Sequence, residues 1–324
     1  MALSTYISAI SQALREEMEA DERVYCLGED IALYGGAFRV TEGFLDQFGE
    51  GRMIDTPIAE SQIIGTAIGS ALMGMRPVAE MQFMDFISCG FDQLTQYAAT
   101  SRYRWDVPCP IVVRGPSGGG VHGGPFHSQN NEMWFAQTPG LKVVCPGTAY
   151  DAKGLMKAAI RDDDPVLYFE HKYLYRRIKE ELPTDDYIVP IGKGIVRRPG
   201  NTITLVTYAA MQYVALEAAE VLKHDGIELE IIDLRSIAPL DSDLVVESIK
   251  KTHKVILLHE DQAFGGISGE LSARIAEEAM EYLDGPIRRI TPPNTHVPYS
   301  PPLEEAFMPN AKDVVYVARE LANY

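Results

Sequence analysis

Apolar residues along this chain recur with two alternating periods, one helical and one extended. "TYISAISQALREEM" repeats apolar positions every three to four residues and predicts a helix. "RVYCLG" is a short apolar strand that stops at Gly28. A helix over "IAESQIIGTAIGSALMG", a strand at "RPVAEMQF" and a helix over "MDFISCGFDQLTQYAATSRYR" follow. "CPIVVR" is a β-branched strand, "GPSGGGVHGGPFHSQNN" a glycine-rich loop and "LKVVCP" another strand. "TAYDAKGLMKAAIRD" predicts a helix with Thr148 or Tyr150-Asp151 near its cap, and "PVLYFE" a strand. "PTDDYIVP" reads as a connection, after which a second alternating unit begins. Its strands are "TITLVTY", "IELEIIDL", "HKVILLHE" and "PIRRIT". Its helices are "MQYVALEAAEVLKHDG", ending at Gly226, "DSDLVVESIKKT", capped by Asp241 or Ser242, and "GGISGELSARIAEEAMEYL". Strands separated by helices predict parallel sheets covered on both faces, and 324 residues predict two such α/β domains.

Composition narrows the class. Hydrophobic residues make up 46% and charged residues 23%, enough for two ordinary cores. No apolar run reaches the ~18 residues of a membrane span. The acidic, amphipathic N-terminus is unlike a secretory or organelle leader, so a cytoplasmic protein is expected. The formal charge is −17, from 46 acids against 29 bases, which argues against nucleic acid as a partner. Such a surface suits a basic protein partner, or serves solubility alone. Cys26, Cys89, Cys109 and Cys145 form no C-x-x-C pair and no zinc-spaced cluster, so reduced, mostly buried thiols are expected.

Ligands of open parallel sheets gather beyond the carboxyl ends of the strands. The candidates there are Glu29-Asp30, Glu60, Gln82 to Cys89, and the loop after "CPIVVR". They form one set only if their strands are neighbours. The glycine-rich loop lacks G-x-x-x-x-G-K-[ST] and a properly placed G-x-G-x-x-G, so it reads as a surface loop as readily as a phosphate cradle. It carries His122 and His127, two of seven histidines. Glu60, in "RMIDTPIAES", reads on local grounds as a first-turn acid favoured by the helix dipole. Behind it, Gly65, Gly69 and Gly74 permit close helix packing or the approach of a flat ligand. Phe83, Phe86 and Phe91 read first as core.

The ordered motifs add a family resemblance. "GED" (28–30), "GGAFRVTEGF" (35–44), "DTPIAE" (55–60), "RPVAEMQFMDF" (76–86), "GGGVHGGPFHSQ" (118–129), "PGLKVV" (139–144) and "DAKGLMKAAIRDDDPV" (151–166) resemble the β subunits of thiamine-diphosphate-dependent 2-oxo acid dehydrogenases. These act on pyruvate, branched-chain 2-oxo acids or acetoin. "LYRRIKEELP", "PIGKG", "LRSIAPLD" and "LHED" extend the resemblance over nearly the whole chain. It implies a transketolase-like pyrimidine-binding domain over 1–185 and a transketolase C-terminal-like domain over 186–324.

The resemblance also implies roles. Thiamine diphosphate works through its C2 carbanion with its own 4′-imino group as base, and that tautomer needs a carboxyl on the pyrimidine N1′. Glu60 is the matching carboxyl, one whose pKa burial would raise. Glu29, Ile58, Ala59 and Gln82 match residues near the cofactor. Phe86 resembles the aromatic packed on the pyrimidine, with Ile87, Ser88 and Cys89 beside it. His127 resembles the histidine that handles protons and orients the incoming lipoyl group. The superfamily's Mg²⁺-binding G-D-G does not occur here, so Mg²⁺ and the diphosphate are expected on a separate α subunit, in an assembly of two α plus two β. A lipoyl acyltransferase core is the further partner implied, docked through its subunit-binding domain on the acidic C-terminal half. Some members hold K⁺, and the matching positions are Ile111, Ala159, Ile160, Asp162 and Asp164; the same aspartates read equally as a solvated helix end. Departures are the shortened "RYRWDVPCP" and Asn294 in place of the usual Asp. Acetoin dehydrogenase, a single-chain transketolase-like enzyme and a non-catalytic binding module are the alternatives.

Overall fold

The structure is a computed structural model that describes residues 2–324, Ala2 by its backbone only. The chain forms two compact units, and the division is not contiguous. One unit is 1–117 with 134–191; the other is 118–133 with 192–324. The resemblance places a single cut after residue 185. The structure instead assigns the glycine-rich segment 118–133 to the C-terminal unit.

The first unit holds strands β1 (Ala2–Thr5), β2 (Val24–Gly28), β3 (Met53–Asp55), β4 (Arg76–Glu80), β5 (Val112–Ser117), β6 (Lys142–Val144), β7 (Val166–His171) and β8 (Lys179–Leu182). Six of them lie in the order β6-β7-β5-β4-β2-β3, all parallel. β1 and β8 form a separate antiparallel pair. β2, β5 and β7 are buried along their whole length, as strands covered on both faces must be. The helices are α1 (Tyr6–Ala20), α2 (Phe44–Phe48), α3 (Glu60–Leu72), α4 (Ser101–Trp105), α5 (Met133–Ala136) and α6 (Ala149–Arg161). Thr5 caps α1 and Thr148 caps α6, each accepting a backbone N–H three residues on. These two helices pack together through Glu16 with Lys153 and Lys157 (2.6 and 2.7 Å) and Glu17 with Arg161 (2.7 Å).

The segment 84–104, expected as one helix, is broken. It runs as a 3-10 stretch (Met84–Gly90), a π-helical turn (Gln93–Ala98) and α4. Its physical cause is contact with α3. A Cβ on Gly90 would collide with the Ile64 side chain, so the segment lies flush on that helix. Of the two expectations for Gly65, Gly69 and Gly74, close helix packing is the one corrected. Gly69 and Gly74 face open space and Gly65 has only Gln93 at 4.0 Å; the close approach is made by Gly90.

The second unit holds β9 (Ile195–Arg198), β10 (Ile203–Thr207), β11 (Leu229–Asp233), β12 (Ser236–Ala238), β13 (Val255–Leu258) and β14 (Arg288–Ile290). Its sheet has the order β14-β13-β10-β11-β9, parallel except for β9. Its helices are α7 (Met211–Leu222), α8 (Ser242–Thr252), α9 (Ile267–Glu278), α10 (Pro301–Phe307) and α11 (Ala311–Ala322). A capping box at Asn310 and Asp313 starts α11, which packs on α7.

Beneath the carboxyl edge of the first sheet lies a buried ionic knot. Arg114 is 1% exposed and pairs with Glu80 and with Glu170, whose other oxygen accepts the Tyr175 hydroxyl at 2.6 Å. Two carboxylates share one guanidinium there, so removing the cation leaves both without compensation. Arg114→Ala is expected to cost about 3–5 kcal/mol of unfolding free energy, read by chemical denaturation. A cost below about 1 kcal/mol, the range of an exposed ion pair, would refute the buried knot.

Candidate active site

β3, β2, β4 and β5 are adjacent, so their carboxyl-end loops meet along one sheet edge. Asp55, Gly28, Glu80 and Arg114 stand side by side in register. Glu29, Glu60 and the segment from Gln82 onward continue from that row. Local geometry fixes each. Gly28 sits against the Glu80 carbonyl, where a Cβ would stand 2.9 Å away. The Gly28 carbonyl accepts Thr56 N–H at 2.9 Å, which turns the chain after β3 towards α3. Asp55 accepts Ala32 N–H at 2.7 Å and Leu33 N–H at 3.3 Å, which holds the loop that follows Glu29.

Glu60 is the first residue of α3, half-buried at the positive end of the helix. Glu29 is 6% exposed, and its Oε1 is buried without a hydrogen-bond partner. Burial first, then the nearby charges of Glu60 and Asp30, push the Glu29 carboxyl above its usual value. Gln82 and Phe86 are half-buried, and Phe86 stands edge-on to Phe83 at 6.3 Å. Ile87 is wholly buried and serves packing, whereas Ser88 and Cys89 are exposed. Ile58 is 82% exposed. Cys26, Cys109 and Cys145 are buried, and all four thiols are free. Two carboxyls, one of them shifted towards its neutral form, and a carboxamide beside an aromatic ring fit a polar heteroaromatic ring such as the pyrimidine of thiamine diphosphate.

The five positions matched to a potassium site each have their oxygens in hydrogen bonds or ion pairs. Arg76 donates to the Ile160 and Asp162 carbonyls at 3.0 and 2.9 Å. The Asp162 carboxylate holds Lys142 (2.7 Å) and Asp164 holds Arg102 (2.6 Å). The Ile111 carbonyl accepts Val166 N–H (3.0 Å) and the Ala159 carbonyl accepts Asp162 N–H (3.3 Å). These oxygens, at the negative end of α6, are thus already engaged by Arg76, Lys142, Arg102 and backbone amides. Among the described residues, no cluster of His, Cys, Asp or Glu with metal-binding geometry occurs. No described helix is long and apolar enough to cross a membrane.

In the second unit the glycine-rich loop carries His127, half-buried after a 3-10 turn (Gly124–Phe126). The structure decides the phosphate question for this loop. Its amides are already committed to carboxylates. Gly119 N–H donates to Glu260 (2.5 Å), and Gly120 and His122 N–H donate to Glu304 (both 2.9 Å). Gly118, Gly120, His122 and Gly124 all have positive φ, the geometry of an anion nest, and here the anion is a side chain. Neither Glu304, in "PPLEEAF", nor Arg114, at the end of "CPIVVR", carried a signal in the sequence; Glu260 stood only within "LHED".

Residues 4–177 match the family described as "Transketolase, pyrimidine binding domain", and residues 192–314 match "Transketolase, C-terminal domain". The chain is 52% identical, over the full length of both, to the 2-oxoisovalerate dehydrogenase subunit beta of Bacillus subtilis. It is 44% identical to the pyruvate dehydrogenase E1 component subunit beta of Staphylococcus epidermidis, over 98% of each chain. The corresponding Bacillus subtilis subunit is 43% identical over the full length of both. A solved structure titled "Split gene transketolase, inactive beta4 tetramer" aligns over 98% of each chain with a TM-score of 0.81 at 22% identity, which shows the fold. The chain consists of two transketolase-type domains, the first of which carries this sheet edge, and it belongs to the family of 2-oxo acid dehydrogenase β subunits.

Proposed function

We propose that this chain is the β half of a thiamine-diphosphate-dependent 2-oxo acid dehydrogenase, active with an α subunit as two α plus two β. The observation that carries the reading is the meeting of Glu29, Glu60 and Gln82 at one sheet edge, in a chain 52% identical end to end to a 2-oxoisovalerate dehydrogenase β subunit. The reaction is oxidative decarboxylation of a 2-oxo acid, with the acyl group passed to lipoamide of an acyltransferase. Identity of 52% to the 2-oxoisovalerate relative, against 43–44% to two pyruvate relatives, favours a branched-chain substrate.

When bound, thiamine diphosphate supplies the nucleophilic carbon that decarboxylation needs. Glu60 would hold the pyrimidine N1′ through a hydrogen bond, with Glu29, whose carboxyl is pushed above its usual value by burial, beside it. Phe86 packs on the ring, with Gln82, Ile58, Ala59, Ser88 and Cys89 around it. His127 holds a proton for the acyl-transfer step and orients the lipoyl group. Mg²⁺ and the diphosphate fall to the α subunit. The Ile111, Ala159, Ile160, Asp162 and Asp164 oxygens would hold K⁺ in a structural role, sharing two carbonyls with Arg76.

Co-expression with an α chain and assay on 3-methyl-2-oxobutanoate and pyruvate test the reading. Glu60→Ala is expected to lower turnover on the order of 10²–10⁴-fold. Full activity of that variant would contradict the role of Glu60. For the ion, the melting temperature is expected to be higher in potassium chloride than in tetramethylammonium chloride at equal ionic strength. Equal values would remove it.

A further inference from the structure

The carboxylates that grip the glycine-rich loop are buried in the interior of the second unit. Glu304, in the first turns of α10, is 1% exposed, and Glu260, just beyond β13, is 5% exposed. Each uses its oxygens on the loop. Glu304 Oε1 accepts Gly120 N–H, while Oε2 accepts His122 N–H and lies 2.6 Å from His122 Nδ1. Glu260 Oε1 accepts Gly119 N–H and the Asn130 side-chain amide at 3.1 Å. The two ends of the loop are thereby tied to one carboxylate. Gly118 N–H closes them further on the Gln129 carbonyl at 3.2 Å, and the Gln129 side chain returns to the Pro125 carbonyl at 2.6 Å. His127 sits between Pro125 and Gln129, inside that closed span.

Space reinforces the polarity. A Cβ on Gly119 would press on Met308 Sδ (3.2 Å), Glu260 Oε1 (3.3 Å) and Glu304 Oε1 (3.4 Å). A Cβ on Gly124 would collide with the Tyr299 ring. Gly119 thus sits tightly against both carboxylates, and Gly124 leaves room for the Tyr299 ring. Buried carboxylates of this kind are costly unless hydrogen-bonded, and the loop amides are what compensates them.

We propose that Glu304 and Glu260 are positioning residues for His127, fixing the 118–131 loop in the single conformation from which the histidine serves acyl transfer. Glu304 is the main grip, because two oxygens each hold a different residue of the loop. A glutamine of the same size presents one oxygen and one N–H₂, so it can satisfy only one of the two backbone donors. An aspartate keeps both oxygens on a stem one methylene shorter. The inference rests on the role given to His127 above, and its test separates the two.

The experiment uses the co-expressed α plus β enzyme with a lipoyl domain as acceptor, together with amide hydrogen exchange on the same preparations. In Glu304→Gln, the Gly120 and His122 amides are expected to lose protection. Acyl transfer to the lipoyl domain is expected to fall on the order of tenfold to a hundredfold, the cost of a displaced reacting group. Added to His127→Ala, Glu304→Gln is expected to bring no further loss, because both variants remove the same function. Glu304→Asp is expected to restore most of the transfer and of the protection. Additive losses in the double variant would show that Glu304 acts on stability rather than through His127, and would overturn the proposal. Wild-type exchange of both amides in Glu304→Gln would overturn it as well. Should His127→Ala transfer acyl groups at the wild-type rate, the role of His127 fails, and the exchange data still decide whether Glu304 holds the loop.

Discussion

A backbone amide that leaves the carboxyl edge of a parallel sheet has no ladder partner, and burying it unpaired costs about 1–3 kcal/mol. This chain meets that constraint with carboxylates. Asp55 takes two amides of the loop after β2, Glu304 two amides of the glycine-rich loop and Glu260 a third. One layer deeper, Glu80 and Glu170 enclose Arg114. Part of the acidic excess is therefore interior. Glu80, Glu132, Glu170, Glu260 and Glu304 are all buried, so the formal charge of −17 overstates what the solvent meets. The loops that carry the candidate chemistry owe their shape to these acids.

The parallel α/β architecture was legible because buried parallel strands leave continuous apolar runs and helices leave a 3.6-residue period. "CPIVVR", "PVLYFE" and "HKVILLHE" all lie on observed strands. What escaped was set by partners distant in sequence. The short edge strands β1, β8 and β9 have no periodicity of their own and exist by pairing. The broken course of 84–104 follows from Gly90 meeting Ile64, a contact that no local pattern encodes. The same holds for segment 118–133, which leaves its neighbours in sequence to join the second unit.

The site was legible in a different way. Local rules made Glu60 a first-turn acid, which it is, and only the ordered motifs around it pointed to a cofactor. Glu29 looked ordinary in "GED", yet it is 6% exposed and burial pushes its carboxyl above the usual value. Glu304 and Arg114 left no trace, since an acid on a short helix and a base at a strand end are common and their partners lie 182–184 and 34–56 residues away.

Ile58, Ser88 and Cys89 are exposed and Glu60 is half-buried, and the proposed function makes them one wall of a site whose other wall an α chain supplies. Calorimetric titration of thiamine diphosphate with Mg²⁺ tests that claim directly, on this chain alone and on the co-expressed pair. The account predicts tight binding by the pair and none by the single chain. Tight binding by the single chain would contradict it.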